Sequence, residues 1–122
     1  MDDGHYIGGL EVKQLAEELA QYCGVKHCLT CGNGTDALTI ALRCLGVGKG
    51  DAVFVPTFTF FASAETVALE GATCIFVDVD PRTFNIDSNK LENAILKVIR
   101  EGKLNPKCVI AVDLFGQPAD FP

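Results

Sequence analysis

The apolar positions between residues 10 and 22 recur at the spacing of one helix face. Leu10, Leu15, Ala16, Leu19 and Tyr22 fall close to one side of a helix, and charged and amide side chains fill the other side. This pattern is typical of an amphipathic helix at a protein surface. The first predicted element is therefore a helix over residues 10–22.

Four later segments, 26–31, 52–56, 73–79 and 107–113, are rich in β-branched and other apolar residues. Three of them are continuously apolar instead of alternating, which is typical of strands that are covered on both faces. We predict a strand for each segment. A sheet that ends at the fourth strand leaves an edge, which indicates part of a larger fold or an assembly.

Helical patterns separate these strands. They cover residues 36–46, about 60–70, and 88–101, and Asp87 and Ser88 are N-cap candidates for the last helix. Turn signals fall between the elements, at residues 46–51, 70–71, 80–81, 102 and 105–106. Strands alternating with helices predict an α/β fold with a parallel sheet and helices packed on it, in one partial domain over residues 1–122.

Residues 31–37, Cys-Gly-Asn-Gly-Thr-Asp-Ala, form a glycine-rich turn between the first predicted strand and the helix 36–46. The first backbone N–H groups of a helix have no partner inside the helix, and the helix dipole adds positive charge there. Gly32 and Gly34 let the backbone bend and approach an anion closely. The turn therefore predicts a phosphate site.

Composition excludes several other classes of function. The chain has 122 residues, 48% hydrophobic and 21% charged, and a net charge of -6. No segment gathers basic residues on one face, so we expect neither a nucleic-acid nor an anionic-membrane partner. The N-terminus lacks the pattern of a signal peptide, and no apolar run is long enough to span a bilayer, so we expect a cytoplasmic protein.

The six cysteines could suggest a metal or redox site, because Cys28 and Cys31 form a C-x-x-C pair. Four of the six lie in apolar runs, where cysteine behaves as a small buried hydrophobe, and no second pair completes a zinc set. In a strand over 26–31, Cys28 and Cys31 would also point to opposite faces. We therefore expect reduced, structural cysteines.

The glycine-rich sequence allows three interpretations of the phosphate site. The segment from Gly32 to Ala37 matches the dinucleotide pattern G-x-G-x-x-A, but Pro56-Thr57 stands where that pattern needs an acid. The glycines at 46–50 follow a helix and precede a strand, so they predict a turn and not a P-loop. The aromatic segment 56–63 follows a strand, at the rim where α/β sheets bind ligands. The glycine-rich turn and the aromatic segment together favour a flat phosphorylated cofactor, with its phosphate at the helix and its ring against an aromatic side chain.

At this level of detail the chain closely resembles the N-terminal part of the DegT/DnrJ/EryC1/StrS family of pyridoxal-phosphate (PLP) dependent sugar aminotransferases. The segments that carry the resemblance are Asp3–Gly8, Gly32–Leu38, Gly48–Asp51, Val55–Phe60, Gly71–Ala72, Phe76–Asp80 with Thr83, Asn85 and Asp87, and Leu114–Gln117. Their order and spacing together are highly specific.

The resemblance implies a mainly parallel sheet that is part of the large domain of the aspartate-aminotransferase-like (fold type I) PLP fold. It implies that Gly34, Thr35 and Asp36 hold the phosphate of pyridoxal 5'-phosphate. The contact of Asp36 would be made by its backbone, since its carboxylate would repel the phosphate. Phe60 would stack on the pyridine ring.

The resemblance also implies a function: transfer of an amino group, usually from glutamate, to a nucleotide-linked keto sugar by a homodimer. In that family, the Schiff-base lysine and the acid that contacts the pyridine nitrogen lie beyond the position of Pro122. The chain alone is therefore expected to be inactive, with no catalytic residue of its own and no metal. The alternatives are a non-catalytic phosphate-binding or interaction module and, less well supported, a nucleotide-dependent oxidoreductase.

Asp113 stands where many family members carry a histidine. Because it is a lone carboxylate at the end of a strand, we expect it to make a structural contact. His5 and His27 are isolated and are expected to be structural or to face solvent.

Overall fold

The computed structural model describes residue 4 and residues 7–120, and the chain divides into two compact units, residues 1–33 and 34–122. The first unit contains α1 (Leu10–Tyr22). The second contains α2 (Gly34–Cys44), β1 (Asp51–Pro56), α3 (Ala62–Leu69), β2 (Thr73–Val77), α4 (Ser88–Glu101), β3 (Asn105–Val109) and the 3₁₀ turn Leu114–Gly116. No helix in the described part of the chain is long and apolar enough to cross a bilayer.

In the first unit, α1 has the predicted bounds, whereas the strand predicted over residues 26–31 is wrong. Residues 26–31 carry no strand assignment, and Leu29 within them is exposed. A strand exists through hydrogen bonds to a neighbouring strand. No strand pair is formed within the described residues of this unit, so the local sequence alone could not produce a strand.

The second unit is built on a parallel sheet with strand order β2-β1-β3. The central strand is the most buried element, because a helix layer covers each of its faces. Val53 and Val55 pack with Leu42 of α2 and Val67 of α3. The alternate residues of β1 pack on the other face, against α4 and β2: Ala52 and Phe54 form a cluster with Val77 and Val98. This confirms the predicted α/β fold with a parallel sheet.

Coverage on both faces is confirmed only for β1. The outer strands β2 and β3 expose part of their length, including Phe76 and Val109, because each has one neighbouring strand in the described sheet. The prediction that three strands are covered on both faces is wrong for these two.

The third strand also begins and ends earlier than the predicted range 107–113. The Asn105 N–H donates to Gly50 O at 2.9 Å, so pairing starts before the proline that suggested a turn. The register with β1 then shifts between Ala52 and Val53. An outer strand tolerates Pro106, which lacks a donor, and such a bulge accommodates it. The last pair joins Phe54 and Val109, and the Ile110 N–H donates to Phe54 O at 2.9 Å, so pairing ends before the predicted end of the strand.

The predicted helix ends are confirmed at several positions. Asp87 is the N-cap of α4, and its side chain accepts hydrogen bonds from the N–H groups of Asn89 and Lys90. Gly102 ends that helix with φ 63°, in the left-handed region that favours glycine. Gly46 follows α2 as a turn, with its N–H donating to Arg43 O at 2.9 Å, as predicted for the glycines at 46–50.

All six cysteines are free, as expected, but the prediction that most are buried is wrong. Cys23, Cys31 and Cys44 are exposed, and the other three are half-buried. Partial burial raises the pKa of the Cys74 and Cys108 thiols, which keeps them protonated at neutral pH. The argument that Cys28 and Cys31 face opposite sides of a sheet fails together with the strand over 26–31.

Candidate functional site at the carboxyl edge of the sheet

The helices α2 and α3 begin at the same edge of the sheet. Each helix leads into one of two neighbouring parallel strands, β1 and β2, so both run antiparallel to the strands. The far ends of the helices are joined by an ion pair between Arg43 Nε and Glu70 Oε1 at 2.8 Å. The N-termini therefore lie together at the edge where the strands end, which we call the carboxyl edge. Open α/β sheets bind ligands at this edge.

Gly34, Thr35 and Asp36 form the first turn of α2. Gly34 is exposed, and outside its own helix turn no atom lies within 4 Å of where a Cβ would stand. Thr35 is half-buried, and its carbonyl oxygen accepts a hydrogen bond from Thr39 Oγ1 at 3.0 Å. This turn combines open space with the donors and positive dipole of a helix N-terminus, so its chemistry fits a phosphate group.

Phe60 lies in the loop 57–61, which connects β1 to α3. The Thr57 N–H donates to Val77 O at 2.9 Å, and the hydroxyl oxygens of Thr59 and Ser63 form a hydrogen bond at 3.0 Å. The Phe60 side chain is 75% exposed. An aromatic ring left open at a rim is suited to contact a flat ring of a ligand.

The ring of Phe58 contacts two other phenylalanines. Its centroid lies 5.5 Å from that of Phe84 and 6.4 Å from that of Phe115, both within the range of favourable aromatic pairs. Phe84 and Phe115 have φ values of 60° and 56°, which are the positive values among the described non-glycine residues. Such a conformation costs roughly 1–3 kcal/mol each and clusters at functional sites.

Charged side chains also interact at this edge. Asp78 Oδ2 lies 3.2 Å from Lys90 Nζ, and Asp78 Oδ1 accepts from Thr57 Oγ1 at 3.4 Å. Asp80 accepts hydrogen bonds from the Arg82 side chain and N–H, and these bonds lower the pKa of Asp80 to about 2. Asp78, Lys90 and Arg82 are exposed and Asp80 is half-buried, so each pair contributes little to stability.

Next to the loops lies a cavity of about 590 Å³, between the start of α4 and residues 109–120. Its lining includes Asn85, whose Nδ2 donates to Pro118 O and whose Oδ1 is buried without a partner. Gly34, Thr35, Asp36 and Phe60 do not line it. In this region Asp113 Oδ1 accepts from the Ala119 N–H at 2.9 Å, which confirms the predicted structural contact.

The structure places the predicted residues on two adjacent elements, three on α2 and Phe60 before α3. Sequence reasoning did not identify the contact of Phe58 with Phe84 and Phe115. The three residues are more than 25 positions apart, and the only signal was that each follows a strand. His27 is exposed, as expected, and His5 lies outside the described residues, as does half of the segment Asp3–Gly8. The described chain contains no cluster of three or more metal-binding side chains.

The comparisons with known proteins agree with this architecture. The chain is 51% identical over 118 residues to a UDP-2-acetamido-2-deoxy-3-oxo-D-glucuronate aminotransferase of Pseudomonas aeruginosa, covering 97% of this chain and 31% of the relative. The crystal structure of a DegT DnrJ EryC1 StrS aminotransferase from Brucella abortus superimposes with a TM-score of 0.93 at 52% identity, covering 98% of this chain and 32% of that one.

A third similar protein is the Bacillus subtilis protein ntda, whose crystal structure contains bound cofactor pmp. It has a TM-score of 0.82 and 30% identity, covering 98% of this chain and 26% of that one. The chain thus spans about a third of the length of the relatives that it matches. Residues 1–122 match the DegT/DnrJ/EryC1/StrS aminotransferase family over their full extent, and the chain belongs to that family.

Proposed function

We propose that this chain supplies the phosphate cup and ring wall of a PLP-dependent aminotransferase that acts on a nucleotide-linked keto sugar. The observation that carries this proposal is the position of the open first turn of α2 beside the loop that presents Phe60, on one edge of a sheet that superimposes on family crystal structures. The chain would then form the N-terminal part of the PLP-binding large domain.

The phosphate cup consists of Gly34, Thr35 and Asp36. The backbone N–H groups of the turn and the Thr35 hydroxyl would donate to the phosphate oxygens, and the absence of a side chain at Gly34 leaves room for close approach. Asp36 would contribute its N–H only, because a carboxylate beside a phosphate is repulsive.

The ring wall is Phe60, whose exposed face would cover one side of the pyridine ring and exclude water from it. When bound, PLP supplies an electron sink for moving an amino group between a donor and a keto acceptor. Lys90 is paired with Asp78 at 3.2 Å. The resemblance to the family implies that the lysine that attaches this cofactor, and the acid beside the pyridine nitrogen, lie beyond Pro122.

The relatives support this substrate class, because one of them is named as an aminotransferase of a UDP-linked 3-oxo sugar. Glutamate as amino donor, a homodimer and a cytoplasmic location remain predictions from the resemblance and the composition. The competing function is a phosphate-binding or interaction module without chemistry.

The proposal is tested by titrating the full-length protein with PLP and following the absorbance of the bound cofactor. Thr35→Val should weaken binding about 10- to 100-fold, because a hydrogen bond to a charged group contributes roughly 1.5–3 kcal/mol. Thr39→Val is the matched control on the same helix, since its hydroxyl already binds Thr35 O. Equal losses in both variants would exclude a phosphate contact by Thr35.

Sequencing the native gene beyond the codon for Pro122 tests the enzymatic part separately. An open frame that encodes an acid at a strand end and then a loop lysine supports the aminotransferase. A stop codon would overturn it and leave the binding module.

A further inference from the structure

We propose that Phe58 is a positioning residue, which holds the loop 57–61 so that Phe60 faces the cofactor ring. It would do so by packing between Phe84 and Phe115, and we call these three side chains the three-ring cluster. This inference rests on the proposed function, because it assigns a role relative to the ring wall.

The three-ring cluster joins the three loops of the carboxyl edge. Phe58 follows β1, Phe84 follows β2 and Phe115 follows β3, so one side chain contacts both neighbouring loops. The contact with Phe84 is tilted by 42° and that with Phe115 by 66°. Because β1 lies between β2 and β3, the two partner rings come from loops on either side of the loop that carries Phe58. A ring held from two directions has little freedom to shift along the sheet edge.

The two partner rings are presented by turns with a fixed backbone. The Phe84 N–H donates to Asp80 O at 2.8 Å, and the Asp80 N–H donates to Asn85 O at 2.9 Å. The Phe115 turn is closed by the Gly116 N–H, which donates to Asp113 O at 3.2 Å. A phenylalanine persists in the left-handed region only where the surrounding structure determines it, and here two of them are aimed at the same third ring.

Burial does not account for the cluster. Phe58, Phe84 and Phe115 remain 48%, 43% and 83% exposed, whereas Phe54 in the core is 1% exposed. Rings that are this exposed contribute only part of the hydrophobic stabilisation that a core position gives. Their arrangement is better explained by what it holds in place.

The element held in place is the short loop that ends in Phe60. Thr57 is fixed to β2 by its N–H, and Phe60 O accepts from the Ser63 N–H at 3.1 Å at the start of α3. Phe58 lies between these two anchors and fixes the path of the loop across the edge. The Phe60 ring makes no ring contact among the described residues, so its direction depends on that path.

A double-mutant cycle in the full-length protein tests this inference. Phe58→Leu, Phe60→Leu and the double variant are titrated with PLP, and the circular dichroism of bound PLP reports its orientation. We expect Phe58→Leu to weaken binding about tenfold and to change the dichroism, but to add less than about twofold in the Phe60→Leu background, since coupled residues are non-additive. Phe61→Leu, an exposed neighbour, is the control and should change affinity less than twofold.

Losses that multiply in the double variant, or unchanged dichroism in Phe58→Leu, would overturn the positioning role while leaving the proposed function intact. A wild-type protein that does not bind PLP would overturn both. If Phe58→Leu does not fold, Phe84→Leu removes the closer of the two ring contacts of Phe58 and should show the same coupling to Phe60. The absence of coupling in that variant would also overturn the inference.

Discussion

The strand β1 and the loop 57–61 follow each other directly in the chain but have opposite environments. The last five residues of β1 are all buried, with one helix layer on each face. The loop exposes three phenylalanine rings within four positions, Phe58, Phe60 and Phe61. Similar apolar composition thus serves two purposes: β1 stabilises the fold by removing surface from water, and the loop leaves apolar surface open, as ligand-binding rims do.

The backbone differs in the same way. β1 is a regular strand with a parallel neighbour on each side, whereas the loops at the carboxyl edge contain two phenylalanines in the left-handed region. Strain of this kind is typical of functional sites. The strand therefore contributes stability and the carboxyl edge carries the candidate function, and mutations in the two regions should have different effects.

The largest expected effect is in the core. Phe54→Ala should lower the free energy of unfolding by roughly 3–5 kcal/mol, because it removes a fully buried ring from the cluster with Val77 and Val98. Phe60→Ala removes the same side chain from an exposed position and should change stability by less than about 0.5 kcal/mol. Urea denaturation of the full-length variants measures both. Comparable losses would mean that the loop belongs to the core.

A smaller effect is expected at the end of α4 opposite the carboxyl edge. Gly102→Ala should destabilise the protein by about 1–2 kcal/mol, because alanine is strained at φ 63°. Gly102→Asn is the control, since asparagine tolerates this conformation better. Thermal melting compares the two variants, and equal melting temperatures would contradict the argument from backbone strain.

The other end of α4 lies at the carboxyl edge. A substitution there tests whether residues at this edge also contribute to stability. Asp87→Ala should cost about 1 kcal/mol, because it leaves the N–H groups of Asn89 and Lys90 without their cap. Asp87→Asn retains a capping oxygen and should be close to wild type. Urea midpoints measure the difference, and a neutral Asp87→Ala would show that water replaces the cap.

The smallest effect concerns pH. Arg82 lowers the pKa of Asp80 from 3.8 to about 2, so the contribution of this pair is present above pH 4 and is lost as the pH falls towards 2. Asp80→Asn removes the group that titrates, so it should reduce the loss of stability between pH 4 and 2. It should also lower the stability slightly at pH 7, where the ion pair of the wild-type protein is present. Unfolding midpoints measured across this range check the sign. Parallel pH profiles would show that the exposed pair carries no stability.

Much of the fold could be predicted because it depends on local signals. The bounds of α1 and α4 follow from the helical spacing of apolar residues. The N-cap at Asp87 follows from a side chain that accepts hydrogen bonds from N–H groups two and three residues later. The buried strand β1 follows from its unbroken apolar run. Family membership follows from the order and spacing of motifs along the chain.

Strand pairing and ring contacts could not be predicted, because both depend on partners far away in sequence. The strand predicted over 26–31 failed for lack of a partner within its unit, and β3 begins at Asn105 because Gly50 offers an acceptor there. The contact of Phe58 with Phe84 and Phe115 exists only once three parallel strands end at one edge. The sequence by itself determined the helices α1 and α4, the cap at Asp87, the buried strand β1 and the family. Only the tertiary structure decided which strands pair and which side chains meet at the carboxyl edge, since those interactions exist only between segments that folding brings together.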